Sequence, residues 1–164
     1  TGNDPLNISQ LKKNLSKEFE VKDLGGLRYF LRMQITRSKK GISVSQRKYT
    51  LDLLKEIGIS GYKPSKIPVE LGNKGKMFER RPVDKVQYQK LIGKIIYLSH
   101  TRPDIAFAVS LVIQYMHAPC QGHLNVVYRI LRYLKFTPGK GLFFCKKQRS
   151  KSDSIHGCCL SQVS

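Results

Sequence analysis

Across residues 60–82 the hydrophobic periodicity of this chain disappears, and the break limits the folds open to it. Pro64, Pro68, Gly72, Gly75 and Pro82 punctuate a polar stretch there, which reads as a flexible connector. Before it, helical and strand spacings both occur; after it, the spacing is helical until residue 136. The expectation is an α+β chain in which a helix plus a β-hairpin precede a helical unit.

The first part opens with residues 8–19, where Ile8, Leu11, Leu15 and Phe19 form one stripe and Lys12, Lys13 and Lys17 lie outside it. That is an amphipathic helix, with Asn7 or Asp4 as its cap. Residues 20–26 read as a short extended piece and a turn. Residues 27–35 and 42–45 are rich in aromatic and branched side chains and flank the polar turn Arg37-Ser38-Lys39-Lys40-Gly41, a hairpin with a cationic tip. Strand alternation sets Tyr29, Leu31 and Met33 opposite Phe30, Arg32 and Gln34. Tyr49, Leu53, Leu54 and Ile57 return to helical spacing, which Gly58 ends.

In the second part a helix over 83–99 carries Leu91, Ile92, Ile95, Ile96 and Leu98 on a core face. Gln89, Gly93 and Tyr97 fall four apart on another face, flanked by Lys90 and Lys94. Such a face fits close approach to an acidic partner; the competing reading, favoured for an isolated pattern of this kind, is a plain core helix whose glycine lets a neighbouring helix approach. Thr101-x-x-Asp104 resembles a capping box, with Pro103 in the first turn of a helix over 105–116 that is apolar almost all round and therefore expected to be central. Pro119 stops it. A further helix over 123–136 points Leu124, Val127, Tyr128, Leu131 and Leu134 inward and Arg129, Arg132 and Lys135 outward. Residues 141–145 read as a strand, and the basic, serine-rich tail from 146 as disordered.

Charge narrows the partners. Thirty basic residues oppose eleven acidic ones, a net charge of +19, and between residues 85 and 149 Asp104 is the sole acid. The basic residues are dispersed through folded segments, which favours nucleic acid over a membrane anchor; non-specific nucleic-acid binding or an acidic protein partner is the blander reading. Cys120, Cys145, Cys158 and Cys159 form no paired zinc motif, only the half-motifs Cys120-x-x-His123 and His156-x-Cys158, so reduced, intracellular thiols are expected. Glu18 with Glu20, and Asp52 with Glu56, sit among lysines as solvated salt-bridge formers rather than metal-binding pairs. No nucleophile triad or phosphate-binding glycine loop has a suitable context.

Several stretches, taken in order, resemble the reverse transcriptase of copia-type LTR retrotransposons. They are Lys22-Asp23-Leu24-Gly25, Leu27-Arg28-Tyr29-Phe30-Leu31, Ser45-Gln46-Arg47-Lys48-Tyr49, Tyr88-Gln89-Lys90-Leu91-Ile92-Gly93, Tyr97-Leu98-Ser99, Thr101-Arg102-Pro103-Asp104-Ile105 and Arg129-Ile130-Leu131-Arg132-Tyr133-Leu134-Lys135. The resemblance runs to about Lys147 and implies a part of a Pol polyprotein with protease, integrase, reverse transcriptase and ribonuclease H regions. It implies a partial palm over 1–59 with a primer-grip-like hairpin, a connector over 60–82, a helical thumb over 83–140, and a truncated ribonuclease H link with a basic tail over 141–164. In the family a Tyr-x-Asp-Asp motif, which holds magnesium, lies immediately before the segment matching Thr1-Gly2-Asn3-Asp4. The expectation is therefore a fragment with no catalytic residues and no cofactor of its own, although the parent enzyme uses magnesium. No nuclease is expected either, because the tail offers Asp153 in an unlike context.

The resemblance further implies primer-grip-like roles for Phe30, Leu31, Arg32 and Met33, and contacts from Gln89, Lys90, Gly93, Lys94, Tyr97 and Arg102 to an RNA–DNA or DNA template-primer duplex. Where the family shows a glycine and then an acid after Phe-Leu, this chain has Arg32, Met33 and Gln34. A non-catalytic interaction module and a non-functional transposon remnant are the alternative readings.

Overall fold

The computed structural model describes residues 4–22, 25–70, 81–146 and 160–163. Helix α1, Pro5–Glu18, begins at Asp4, whose carboxylate accepts from the Leu6 amide at 3.0 Å and from the Asn7 side chain at 2.7 Å. Asp4 is thus the cap, with Pro5 at the first helical position where its missing N–H costs nothing. The apolar stripe exists, but none of the described residues covers it: Leu11 is 59% exposed and Phe19 65%.

Residues 27–35 do not form the single strand expected of them. The chain reverses between β1, Tyr29–Phe30, and β2, Met33–Arg37, pairing Phe30 with Met33 and Tyr29 with Gln34. Leu31 and Arg32 form the two-residue turn with φ of 47° and 62°, the signs of a type I′ turn. Such turns normally carry Asn or Gly, so the alternation in sequence concealed the reversal. For an L-residue each left-handed position costs about 1–2 kcal/mol. Arg32→Gly is therefore expected to leave the protein about 1 kcal/mol more stable than Arg32→Ala in urea denaturation, since both lose the same side chain and only one relieves the backbone.

Strand β3, Gly41–Ser45, pairs with β2 in the register Ile35 to Val44, and Ser38 closes their turn by bonding Gly41. Strand β4, Gly141–Cys145, adds antiparallel to β3, and β5, Leu160–Val163, to β4, giving the order β1-β2-β3-β4-β5. The tail therefore departs from the disorder expected of it where it contributes β5; Asp153, His156, Cys158 and Cys159 lie outside the described residues.

Helix α2, Arg47–Glu56, is followed by Gly58 at φ 75° and a short 3-10 turn, Ile59–Gly61. Helices α3, Lys85–Ser99, α4, Pro103–Ile113, and α5, Gln121–Phe136, follow. One apolar core unites Leu53 of α2 with Ile92, Ile95 and Leu98 of α3, Ile105 and Val112 of α4, and Ile130, Leu131 and Leu134 of α5, each 2% exposed or less. It thus runs across segments on both sides of residues 60–82. Asp84 caps α3 through the amides of Val86 and Gln87. Helix α4 is only half central, since Phe107 remains 60% exposed.

Two local expectations change. Thr101 does not cap α4; Arg102 occupies the cap position, while the Thr101 hydroxyl lies 2.7 Å from Gln46 Oε1, to which it donates. Residues 60–70 are not a loose connector, because α5 fastens them. Arg132 donates to the Lys63 carbonyl at 2.6 Å, Lys135 to that of Tyr62 at 2.8 Å, and Ser65 N to the Arg132 carbonyl at 3.1 Å. Residues 71–80, including Gly72 and Gly75, lie outside the described residues. Among the described residues no helix is long and apolar enough to cross a membrane.

Candidate nucleic-acid interface

The β1–β2 turn rests on α3 and α2. The Tyr97 hydroxyl donates to the Leu31 carbonyl, the Tyr97 ring meets that of Tyr49 edge-on at 5.4 Å, and the Arg32 guanidinium lies 5.0 Å over the Tyr49 ring. Burial raises the Tyr49 hydroxyl's pKa, against the opposing pull of Arg32 and Lys94, so this ring stays neutral. Phe30 and Leu31 stay 57% and 62% exposed beyond that anchorage. The turn and the second face of α3 are thereby one continuous surface, a juxtaposition across 66 residues of sequence. The sequence pointed to Phe30, Leu31, Arg32 and Met33 and to Tyr97 separately; it did not point to Tyr49, whose helical spacing marked it only as core.

Along α3 the remaining residues differ in what they offer. Lys90 is exposed, and Gly93 opens to solvent with nothing within 4 Å of where a Cβ would stand. Among the described residues no neighbouring helix packs against that glycine, so the close-packing reading of it fails there. Lys94 pairs with Glu56 of α2, as expected of that acid. Gln89 turns toward the end of α4 and donates to the Met116 carbonyl at 3.1 Å.

Arg102 needs correction, because it is 2% exposed and its guanidinium is consumed inside the protein. Nε and Nη2 grip Asp104 at 2.9 and 2.8 Å, while Nη1 and Nη2 donate to the Thr137 carbonyl and hydroxyl at 2.7 Å each. The Tyr133 hydroxyl donates to Asp104 at 2.7 Å. Burial would raise the Asp104 pKa, but Arg102 and the Tyr133 hydroxyl outweigh it and hold the carboxyl below its ordinary value. The arginine of this motif fastens the start of α4 to the end of α5 and reaches no surface ligand.

The half-motif Cys120-x-x-His123 proves to be a helix cap. His123 Nδ1 accepts from the Cys120 amide at 3.2 Å, and its ring stacks on Tyr115 at 3.6 Å. Burial lowers the His123 pKa, consistent with the neutral imidazole that this bond requires. Among the described residues no group of three His, Cys, Asp or Glu side chains gathers to hold a metal ion.

Comparison with known proteins adds to this geometry. The reverse transcriptase (RNA-dependent DNA polymerase) family matches residues 1–71. The retrovirus-related Pol polyprotein from transposon RE1 of Arabidopsis thaliana is 40% identical over 147 residues, covering 89% of this chain. The chain is thus similar over residues 1–71 to reverse transcriptases, and over most of its length to a region of a transposon Pol polyprotein. This region spans about a tenth of that polyprotein, 10% of its length. An uncharacterized mitochondrial protein of Arabidopsis thaliana is 34% identical over 149 residues, covering 91% of this chain and 62% of the relative. A putative transposon Ty5-1 protein of Saccharomyces cerevisiae is 33% identical over 166 residues, covering 93% and 52% respectively. The match to RE1 extends well past residue 71, so likeness to Pol polyproteins includes most of the helical part. No solved structure matches this chain.

Proposed function

We propose that this reverse transcriptase-like region holds a template-primer duplex and does not itself perform nucleotidyl transfer. In this reading residues 1–59 are the end of a palm, 83–140 a thumb, and the β1–β2 turn a primer grip. The observation that carries it is the bond from Tyr97 to the Leu31 carbonyl, which joins the turn to the α3 face that presents Lys90, Gly93 and Lys94. A helix face opened by a glycine and edged with lysines suits the wide, shallow minor groove of an A-like duplex, and phosphate contacts tolerate any sequence. Arg102 has no part in it. The catalytic carboxylates and their magnesium would belong to the rest of the Pol polyprotein, against which the uncovered stripe of α1 would pack.

Contacts from Arg32, Lys90 and Lys94 to one phosphate each would make duplex affinity fall about 40-fold between 50 and 200 mM salt. Lys90→Ala is expected to lower the salt slope by about 1 and to weaken all duplex sequences alike. Filter binding over a salt series checks both. Affinity indifferent to salt, or a Lys90→Ala effect confined to particular sequences, would leave the interaction-module reading in its place.

A further inference from the structure

Away from the hairpin turn, a cleft of about 770 Å³ opens between α5 and the strapped segment after α2. Tyr62, Asn125, Tyr128, Arg129 and Arg132 line it over an apolar floor that includes Ile59. Tyr62 is 62% exposed and Tyr128 38%, so two aromatic rings stand at the surface of a cleft whose other polar groups are mostly cationic. Arg132 spends only Nε on the Lys63 carbonyl, leaving its terminal nitrogens without a partner among the described residues. Arg129 reaches Glu70 through Nη1 at 2.7 Å, while its Nε is buried without a partner among the described residues. A second cleft, of about 420 Å³, shares Ile57 and Tyr128 with the first and continues to Lys90 and Lys94, with Glu56 and Asp84 as its acids.

Exposed aromatic rings alternating with arginines are what a flexible polyanion with stackable faces requires. A rigid duplex keeps its bases stacked on one another and has no use for the rings. We propose that this groove binds single-stranded nucleic acid, with bases stacking on Tyr62 and Tyr128 and phosphates meeting Arg129 and Arg132. Glu70 is the local opposition, and the net charge of +19 outweighs it at long range. The site goes beyond the duplex-holding reading and uses none of the residues at the hairpin turn.

Fluorescence anisotropy of the full chain with a labelled oligo-dT strand, an abasic strand of equal length and a blunt duplex tests it. Tyr62→Ala and Tyr128→Ala are surface changes that leave the core intact. Each is expected to weaken oligo-dT binding by about 5- to 150-fold while duplex affinity stays within about twofold. The abasic strand should bind the unaltered chain as weakly as oligo-dT binds the double variant. Unchanged oligo-dT binding in the double variant, equal affinity for the abasic strand, or no binding of oligo-dT at all would each overturn the groove. Duplex binding retained in any of those cases would leave the duplex-holding reading standing, whereas its loss to Lys90→Ala alone concerns only that reading.

Discussion

Asp104→Ala is expected to destabilise the fold by about 3–5 kcal/mol, because it leaves the Arg102 guanidinium buried with its charge uncompensated. The Tyr133 hydroxyl loses its acceptor in the same change. Urea denaturation at neutral pH should show the midpoint falling without a change in slope. Asp104→Asn should lie between the unaltered protein and Asp104→Ala, since it keeps a hydrogen-bond acceptor but removes the charge. The network also carries a pH signature. The folded-state pKa of Asp104 is depressed, so its contribution is complete above the ordinary carboxylate value of 3.8 and is lost as pH falls from there through the lower folded value. Stability of the unaltered protein should therefore drop more steeply below about pH 4 than that of Asp104→Asn. Equal slopes would mean that the carboxylate is not held by Arg102.

Gly41→Val is expected to cost about 2–3 kcal/mol. A Cβ at Gly41 would run into the Phe144 carbonyl oxygen, and one at Gly141 into that of Val44, so both glycines admit a close approach of β3 and β4 backbone that no side chain permits. Ser43→Val, in the same strand opposite Phe143, is the control: it adds similar bulk where a side chain already stands and should change stability by less than about 1 kcal/mol. Amide exchange should speed up across β3 and β4 in the Gly41 variant and stay slow in the control. Slow exchange in both would show that the strands can part locally to admit a Cβ.

What could be read from the sequence follows from how local each cause is. The α3 core face, the stop at Gly58 and the α5 stripe apart from Tyr128 are written in spacing within a few residues and stand in the structure, whereas Tyr128, read as inward, is 38% exposed. The β1–β2 turn was hidden because Leu31 and Arg32 are not turn residues; their left-handed geometry is held by Tyr97 and Tyr49, which lie far along the chain. Arg102 misled for a similar reason. A basic residue near basic helices suggests a phosphate; its charge goes instead to Asp104, a pair that Thr137 and Tyr133 complete from the end of α5. The connector looked loose because carbonyl acceptors carry no sequence signal; Arg132 and Lys135 find them on the backbone of Lys63 and Tyr62.

The placement of β4 beside β3 has a kinetic consequence. Gly41 and Cys145 are opposed in the sheet, yet α2, α3, α4 and α5 lie between them in the chain. The β2–β3 hairpin needs only its own short turn and closes in about 1–10 μs. Its open edge, however, must wait on the ribosome until the helices have been synthesised and packed. At about 5–20 residues per second that interval is several seconds or more, during which β3 offers a free edge to other chains. Refolding should accordingly show helix formation ahead of strand protection in β3, and aggregation during synthesis should begin at that edge.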